Sequence, residues 1–268
     1  MKAAQTYKEK IMTSSERQKR IIELVSRNKS VQINDLVELF DVSVMTIRRD
    51  FAELEDKKYI KRVYGGAILN EEELNKPYFP RAAINSHVKD LIARKAVELI
   101  KDDETIILDL GTTVLQVSKH LEGIKDLTVI TCCIPAIAEL EKYPDITVYT
   151  LGGELKRDNH AFLGINTEEE IQKYCADIAF IGVAGISFEF GLTNYYHQTA
   201  SLCKKVMKQA KRVVLLADST KFDKAKSAVV GKLDVIDTII TDDGIPESYL
   251  NYFKASNIEV IMVENTEN

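Results

Sequence analysis

The stretch Val42-Ser43-Val44-Met45-Thr46-Ile47-Arg48-Arg49-Asp50 decides how the first quarter of the chain folds. Ser43 suits a helix N-cap, because its hydroxyl can accept a backbone N–H of the first turn, and a helix is predicted from Val44 to about Lys57. At 100° per residue, Ile47, Phe51 and Leu54 fall on one narrow face. Met45, Arg49 and Ala52 point the opposite way, with Thr46 and Arg48 on the flanks. Upstream, a second amphipathic helix is predicted from about Asn34, with Leu36, Val37, Leu39 and Phe40 inward, stopping at Asp41-Val42. So tight a turn between two short helices makes a helix-turn-helix. A first helix, capped by Ser15 with Gln18 three residues on, is expected to run to about Arg27 on Ile21, Ile22, Leu24 and Val25.

Downstream, Ile60-Lys61-Arg62-Val63-Tyr64 is a short, β-prone, basic segment ending in Gly65-Gly66, the pattern of a wing whose Lys61 and Arg62 meet phosphates. A recognition helix presents its amino-terminal end to base edges in the major groove. That placement nominates Ser43, Met45, Thr46, Arg48 and Arg49, with Lys61 and Arg62, as contacts to double-stranded DNA. Arg48 and Arg49 would also suit a solvated helix, paired with Asp50 and Glu53, but the tight turn and the basic ribbon favour DNA. The charge is divided accordingly. The 268 residues carry a formal net charge of −5, split into +4 over residues 1–70 and −9 over the remainder. The split suggests nucleic acid as a partner for the first part and not for the second, although many solvated surfaces carry as much charge.

Residues 71–86 open on Glu71-Glu72-Glu73 and contain Pro77 and Pro80, so they read as a linker between one domain, 1–70, and another, 87–268. In the second, apolar β-rich runs at 105–110, 127–131, 146–151, 177–182, 213–217, 236–241 and 259–263 are mostly separated by stretches long enough for crossover helices. Runs such as TIIL and VVLLA suit strands covered on both faces. The expected fold class is α/β, a mainly parallel sheet sandwiched by helices.

Ligands of such sheets bind where strands end and helices begin. There the sequence places Asp109 with Gly111-Thr112-Thr113, then Thr131-Cys132-Cys133, Gly152-Gly153, Gly182 with Gly185, and Asp218-Ser219-Thr220-Lys221. Backbone N–H groups, threonine hydroxyls and a helix dipole after Gly111 favour an anion. Lys221 can neutralise a phosphate and Asp218 can accept sugar hydroxyls. No lysine follows Gly111 in the manner of a nucleotide-binding loop. One anion site and several hydroxyl partners on one sheet edge fit a phosphorylated small polyol, although each tripeptide alone also fits an ordinary turn.

Other classes are disfavoured. No apolar run approaches the roughly 18 residues that cross a bilayer, and the start lacks the apolar stretch of a signal peptide, so a cytoplasmic protein without a membrane partner is expected. Cys132, Cys133, Cys175 and Cys203 contain no CxxC pair, and His87, His120, His160 and His197 are scattered. Reduced thiols, no metal and no cofactor are expected.

Together these residues resemble the DeoR family of bacterial transcriptional regulators over nearly the whole length. The match runs through 42–50, Leu54-Glu55 and Gly65-Gly66-Ala67, then Asp109 with Gly111-Thr112-Thr113, 128–131, Leu151-Gly152-Gly153 and Leu216-Ala217-Asp218-Ser219-Thr220-Lys221-Phe222. The resemblance implies a winged helix on operator DNA joined to a sensor similar in fold to ribose phosphate isomerase. It also implies a sugar phosphate inducer that relieves repression of a carbohydrate operon. The effector residues nominated at the strand ends are Asp109, Gly111, Thr112, Thr113, Thr131, Cys132, Gly152, Gly153, Gly185, Asp218 and Lys221. The chain departs from the family pattern at Cys132, where asparagine is common, and at 194–199, where an acidic pair is usual. A homodimer or homotetramer is expected, because one short helix reads too few bases for a genomic search. The alternative is a sugar phosphate isomerase with Asp109 or Asp218 as base. The attached winged helix and the loss of acidic residues around Gln198 argue against it.

Overall fold

A computed structural model describes residues 12–70, 81–82 and 84–265 of the chain. They divide into two compact units, one holding residues 12–70 and the other residues 86–265. The expected linker lies for the most part, at 71–80, outside the described residues.

The first unit runs α1 (Ser14–Asn28), β1 (Ser30–Gln32), α2 (Ile33–Phe40), α3 (Val44–Asp56), β2 (Ile60–Val63) and β3 (Gly66–Leu69). The cap of α1 is Thr13, not Ser15. Its hydroxyl accepts the Glu16 N–H at 3.2 Å while the Glu16 carboxylate accepts the Thr13 N–H at 2.8 Å. A carboxylate two residues earlier closes the reciprocal box, and Gln18 is drawn inward to donate to Glu53 at 2.6 Å. In α2 the inward arc is Ile33, Leu36, Val37 and Phe40. Leu39, expected inside, falls 60° outside that arc and is 59% exposed. Ile47, Phe51 and Leu54 of α3 are buried with Ile21, Val25, Leu36 and Ile60. β3 lies between β1 and β2 and is antiparallel to both. Strand β1 was not expected, since three residues are too few for alternation to register.

The second unit follows as α4 (Ser86–Val97), β4 (Thr105–Leu108), α5 (Val114–Val117), β5 (Thr128–Thr131), α6 (Ile134–Leu140), β6 (Thr147–Thr150), β7 (Glu154–Lys156), β8 (Ala161–Leu163), α7 (Ile165–Glu170) and β9 (Ala176–Ile181). After these come β10 (Gly185–Ser187), β11 (Gly191–Asn194), α8 (His197–Lys208), β12 (Ala210–Leu216), β13 (Ala228–Gly231), β14 (Thr238–Asp242), α9 (Glu247–Ala255) and β15 (Glu259–Val263). The seven expected strands form one sheet in the order β15-β14-β12-β9-β4-β5-β6. Every neighbouring pair in it is parallel. Its apolar runs are continuous because successive residues enter different cores. Ile106, Leu108, Ile178, Phe180, Val214 and Leu216 face Val88, Ile92 and Ala96 of α4, whereas Ile107, Ala179, Ile181 and Leu215 face Cys203 and Val206 of α8 and Phe253 of α9. Each fully buried Ile, Leu, Val or Phe side chain among them contributes about 1.5–3 kcal/mol. The sequence reading missed two small accessories: the β7–β8 hairpin and the antiparallel sheet β10-β11-β13. The hairpin has strands of three residues and the sheet strands of three or four.

Candidate functional site

In the first unit, the turn between α2 and α3 is made by Asp41, which holds a left-handed conformation at φ +50°, followed by Val42 and Ser43. The Ser43 hydroxyl accepts the Thr46 N–H at 3.1 Å and lies 2.9 Å from the Thr46 hydroxyl. These two side chains therefore spend their polar groups on the start of α3. Beyond them stand Met45, 69% exposed, and the exposed Arg48 and Arg49. Arg49 reaches Glu53 only at 3.7 Å across the helix surface, a weak tether that leaves its guanidinium available. Lys61 is exposed on β2. Arg62 departs from expectation: its guanidinium bonds Glu55 at 2.5 Å and its own N–H donates to the same carboxylate at 3.0 Å. The Arg62 N–H, followed by the guanidinium, holds the Glu55 carboxyl below its usual range despite some desolvation.

In the second unit, the carboxyl ends of β4, β9 and β12 are adjacent in the sheet. Asp109 is 3% exposed, and its Oδ1 has no hydrogen-bond partner among the described residues. Burial pushes its pKa up to about 7, against the N–H of Leu110 and the thiol of Cys203, which favour the charged form. Cys132 and Cys203 flank this carboxyl, and burial, then its negative charge, hold both thiols protonated, well above their ordinary range. They are neither nucleophiles nor metal ligands in that state. Among the described residues, no group of three or more His, Cys, Asp or Glu is placed to hold a metal.

Past Asp109, Thr112 and Thr113 are 8% and 6% exposed, and neither hydroxyl makes a hydrogen bond within the described residues. The helix that follows, α5, has four residues, so the expected dipole contributes little there and the hydroxyls and loop N–H groups are what remain for an anion. At the end of β12, Lys221 pairs with Asp218 at 3.0 Å. Asp218 is 1% exposed, yet its pKa falls to about 2, because the ammonium groups of Lys221 and Lys89 outweigh the burial that would raise it. Lys89 went unnoticed in the sequence reading. It is 2% exposed and lies on the inner face of α4 with Val88, Ile92, Ala93 and Ala96. A lysine in phase with the apolar stripe was the available signal.

Several nominated residues are engaged elsewhere. The Thr131 hydroxyl donates to Leu108 at 2.8 Å and accepts the Cys133 N–H at 3.1 Å, which leaves it a splice between β4 and β5. Gly152 accepts a hydrogen bond from Thr167 at 2.6 Å, and a Cβ on Gly153 would meet that hydroxyl at 2.2 Å. Gly185 lies in β10, where a Cβ would come within 2.4 Å of the Lys224 carbonyl. These glycines serve close backbone packing.

Residues 17–73 match the model of the DeoR-like helix-turn-helix domain, and residues 84–243 that of the DeoR C terminal sensor domain. The chain is 34% identical to the HTH-type transcriptional regulator GolR of Listeria innocua, over 93% of this chain and 98% of that one. It is 33% identical to the HTH-type transcriptional repressor GlcR of Bacillus subtilis, over 96% and 99%. With the glycerol-3-phosphate regulon repressor of Escherichia coli it shares 29% identity, over 93% and 99%. Among solved structures, it is similar to ribose 5-phosphate isomerase A of Methanocaldococcus jannaschii, with 24% identity, a TM-score of 0.39 and coverage of 52% of this chain and 55% of that one. With a helix-turn-helix unit and a sensor unit matched in order along nearly all of its length, the chain belongs to the DeoR family.

Proposed function

We propose that the protein is a transcriptional repressor of a carbohydrate operon, holding operator DNA through the first unit and releasing it when the second binds a phosphorylated sugar. The observation that carries this reading is the strand-end site of the second unit. There, Lys221, two unengaged threonine hydroxyls and a buried carboxylate acceptor lie at the ends of strands in one parallel sheet, and Lys89 reaches Asp218 from the inner face of α4. A phosphate takes cations and hydroxyl or N–H donors, while sugar hydroxyls need acceptors such as Asp109 Oδ1. The exposed face of α3 supplies the other half, with Met45, Arg48 and Arg49 presented for base edges. On this reading the protein acts in the cytoplasm, as a dimer or tetramer that doubles the length of DNA read.

A second reading, a sugar phosphate isomerase, is favoured by one observation: a carboxyl with a pKa of about 7 is suited to general-base work near neutral pH. It leaves the first unit without a role. The two part in a thermal-shift screen of sugar phosphates followed by gel shift and product analysis. A ligand at 100 times its dissociation constant adds about 2.7 kcal/mol of stability. A repressor releases DNA at that concentration and leaves the ligand unchanged, and Thr112→Ala with Lys221→Ala binds DNA but no longer lets go. The absence of any stabilising sugar phosphate overturns the effector reading, and turnover of the ligand establishes the isomerase.

A further inference from the structure

We infer that Tyr64 is a DNA-contacting residue of the wing and that Arg62 is the internal strut that sets the wing's angle, not a phosphate ligand. The inference rests on the reading of the first unit as a DNA-binding module and goes beyond it by assigning the wing's residues. Tyr64 is the tip of the β2–β3 hairpin and is 103% exposed, with no cover from its own unit. That exposure is fixed in place. Next to it Gly65, at φ +76°, offers its carbonyl to the Ile33 N–H at 2.8 Å. Gly66 approaches β1 so closely that a Cβ would lie 2.0 Å from the Val31 carbonyl. The turn is thus bolted to the start of α2, and the ring stays outside.

Between the wing and α3 runs an open groove of about 510 Å³, lined by Arg48, Phe51, Glu55, Arg62, Tyr64 and Gly66 among others. One wall is the recognition helix, so the groove continues the DNA-binding face, and with α3 in the major groove its occupant is the flanking sugar-phosphate backbone. A tyrosine suits that position: the ring face packs on deoxyribose and the hydroxyl donates to a phosphate oxygen. Its immobile backbone lowers the entropy lost on binding. Arg62 has a different task, because both its N–H and its guanidinium are held by Glu55, from the last turns of α3. That two-point clamp joins wing to recognition helix.

The test uses the full chain and a mixed-sequence DNA duplex about 30 base pairs long, titrated over a range of NaCl concentrations. Tyr64→Ala is expected to weaken binding about tenfold without changing the melting temperature, and Tyr64→Phe to lose only part of that. Because tyrosine is neutral, the salt dependence stays that of the wild type. Arg62→Gln and Glu55→Gln are expected to weaken binding alike with an unchanged salt slope, whereas loss of a phosphate contact lowers the slope by about one. Wild-type affinity in Tyr64→Ala overturns the assignment of Tyr64, and a reduced slope in Arg62→Gln alone overturns the strut. A wild-type chain that binds no duplex overturns the underlying reading instead.

Discussion

Arg17 and Asp50 form a buried two-point ion pair, Nε to Oδ2 at 2.5 Å and a terminal guanidinium nitrogen to Oδ1 at 3.1 Å, that ties α1 to the inner side of α3. Asp50 is wholly buried and also accepts a bond from Ser14 at 3.1 Å. Two residues of the recognition helix, Arg49 and Asp50, adjacent in sequence, therefore belong to opposite environments. Asp50 is a strut of the core, while Arg49 meets solvent.

Asp50→Ala leaves the Arg17 cation buried without its counter-charge, which costs about 3–5 kcal/mol. Urea denaturation followed by circular dichroism should show the first unit unfolding well before the second. Pairing it with Arg17→Met should recover much of the loss. A penalty below about 1 kcal/mol would mean that the pair behaves like one on the surface.

Arg49→Ala is expected to weaken operator binding by about 1–3 kcal/mol and to narrow the gap between operator and random duplex, since the proposed function assigns the exposed side chain to base edges. Lys61→Ala should weaken both duplexes equally. Gel-shift titrations on the two DNAs decide the matter, and equal losses for Arg49→Ala would remove it from base readout.

Asp109 carries a pH dependence whose sign follows from its environment. Its folded pKa of about 7 lies above the ordinary 3.8, so in the window between them the folded chain binds a proton that the unfolded chain has lost. Its contribution to stability is complete below that window and is lost as pH rises through it, by at most about 1.4 kcal/mol per pH unit. Asp109→Asn lacks this loss. Thermal melts from about pH 4 to about pH 7 should show the variant gaining steadily on the wild type, and parallel curves would show that the carboxyl titrates normally.

Lys89→Met removes one of the two cations that hold Asp218 ionised. The variant should keep its affinity for DNA and lose its response to the sugar phosphate, read by thermal shift and gel shift together. Undiminished ligand stabilisation would confine Lys89 to a structural part.

A fragment of residues 86–268 should fold and self-associate without the first unit, because both faces of its sheet carry cores of their own. Circular dichroism with size-exclusion chromatography checks this. An unfolded or monomeric fragment contradicts it.

Local periodicity determined much of this protein. The Ser43 cap, the inward Ile47, Phe51 and Leu54, and all seven strands of the parallel sheet follow from side-chain spacing along one element, which the chain carries without reference to any partner. Tertiary structure decided which polar groups are already engaged. Thr131 and Arg62 fitted ligand contacts as isolated residues, yet Leu108 and Glu55, brought near by strand pairing and hairpin closure, already engage the Thr131 hydroxyl and the Arg62 Nε. Asp109 and Lys89 gained their chemistry in the same way. A carboxylate has an ordinary pKa, and a carboxylate or an ammonium an ordinary hydration shell, until distant segments exclude water from it, and burial of that kind is a property of the packed sheet and helices, not of any stretch of sequence.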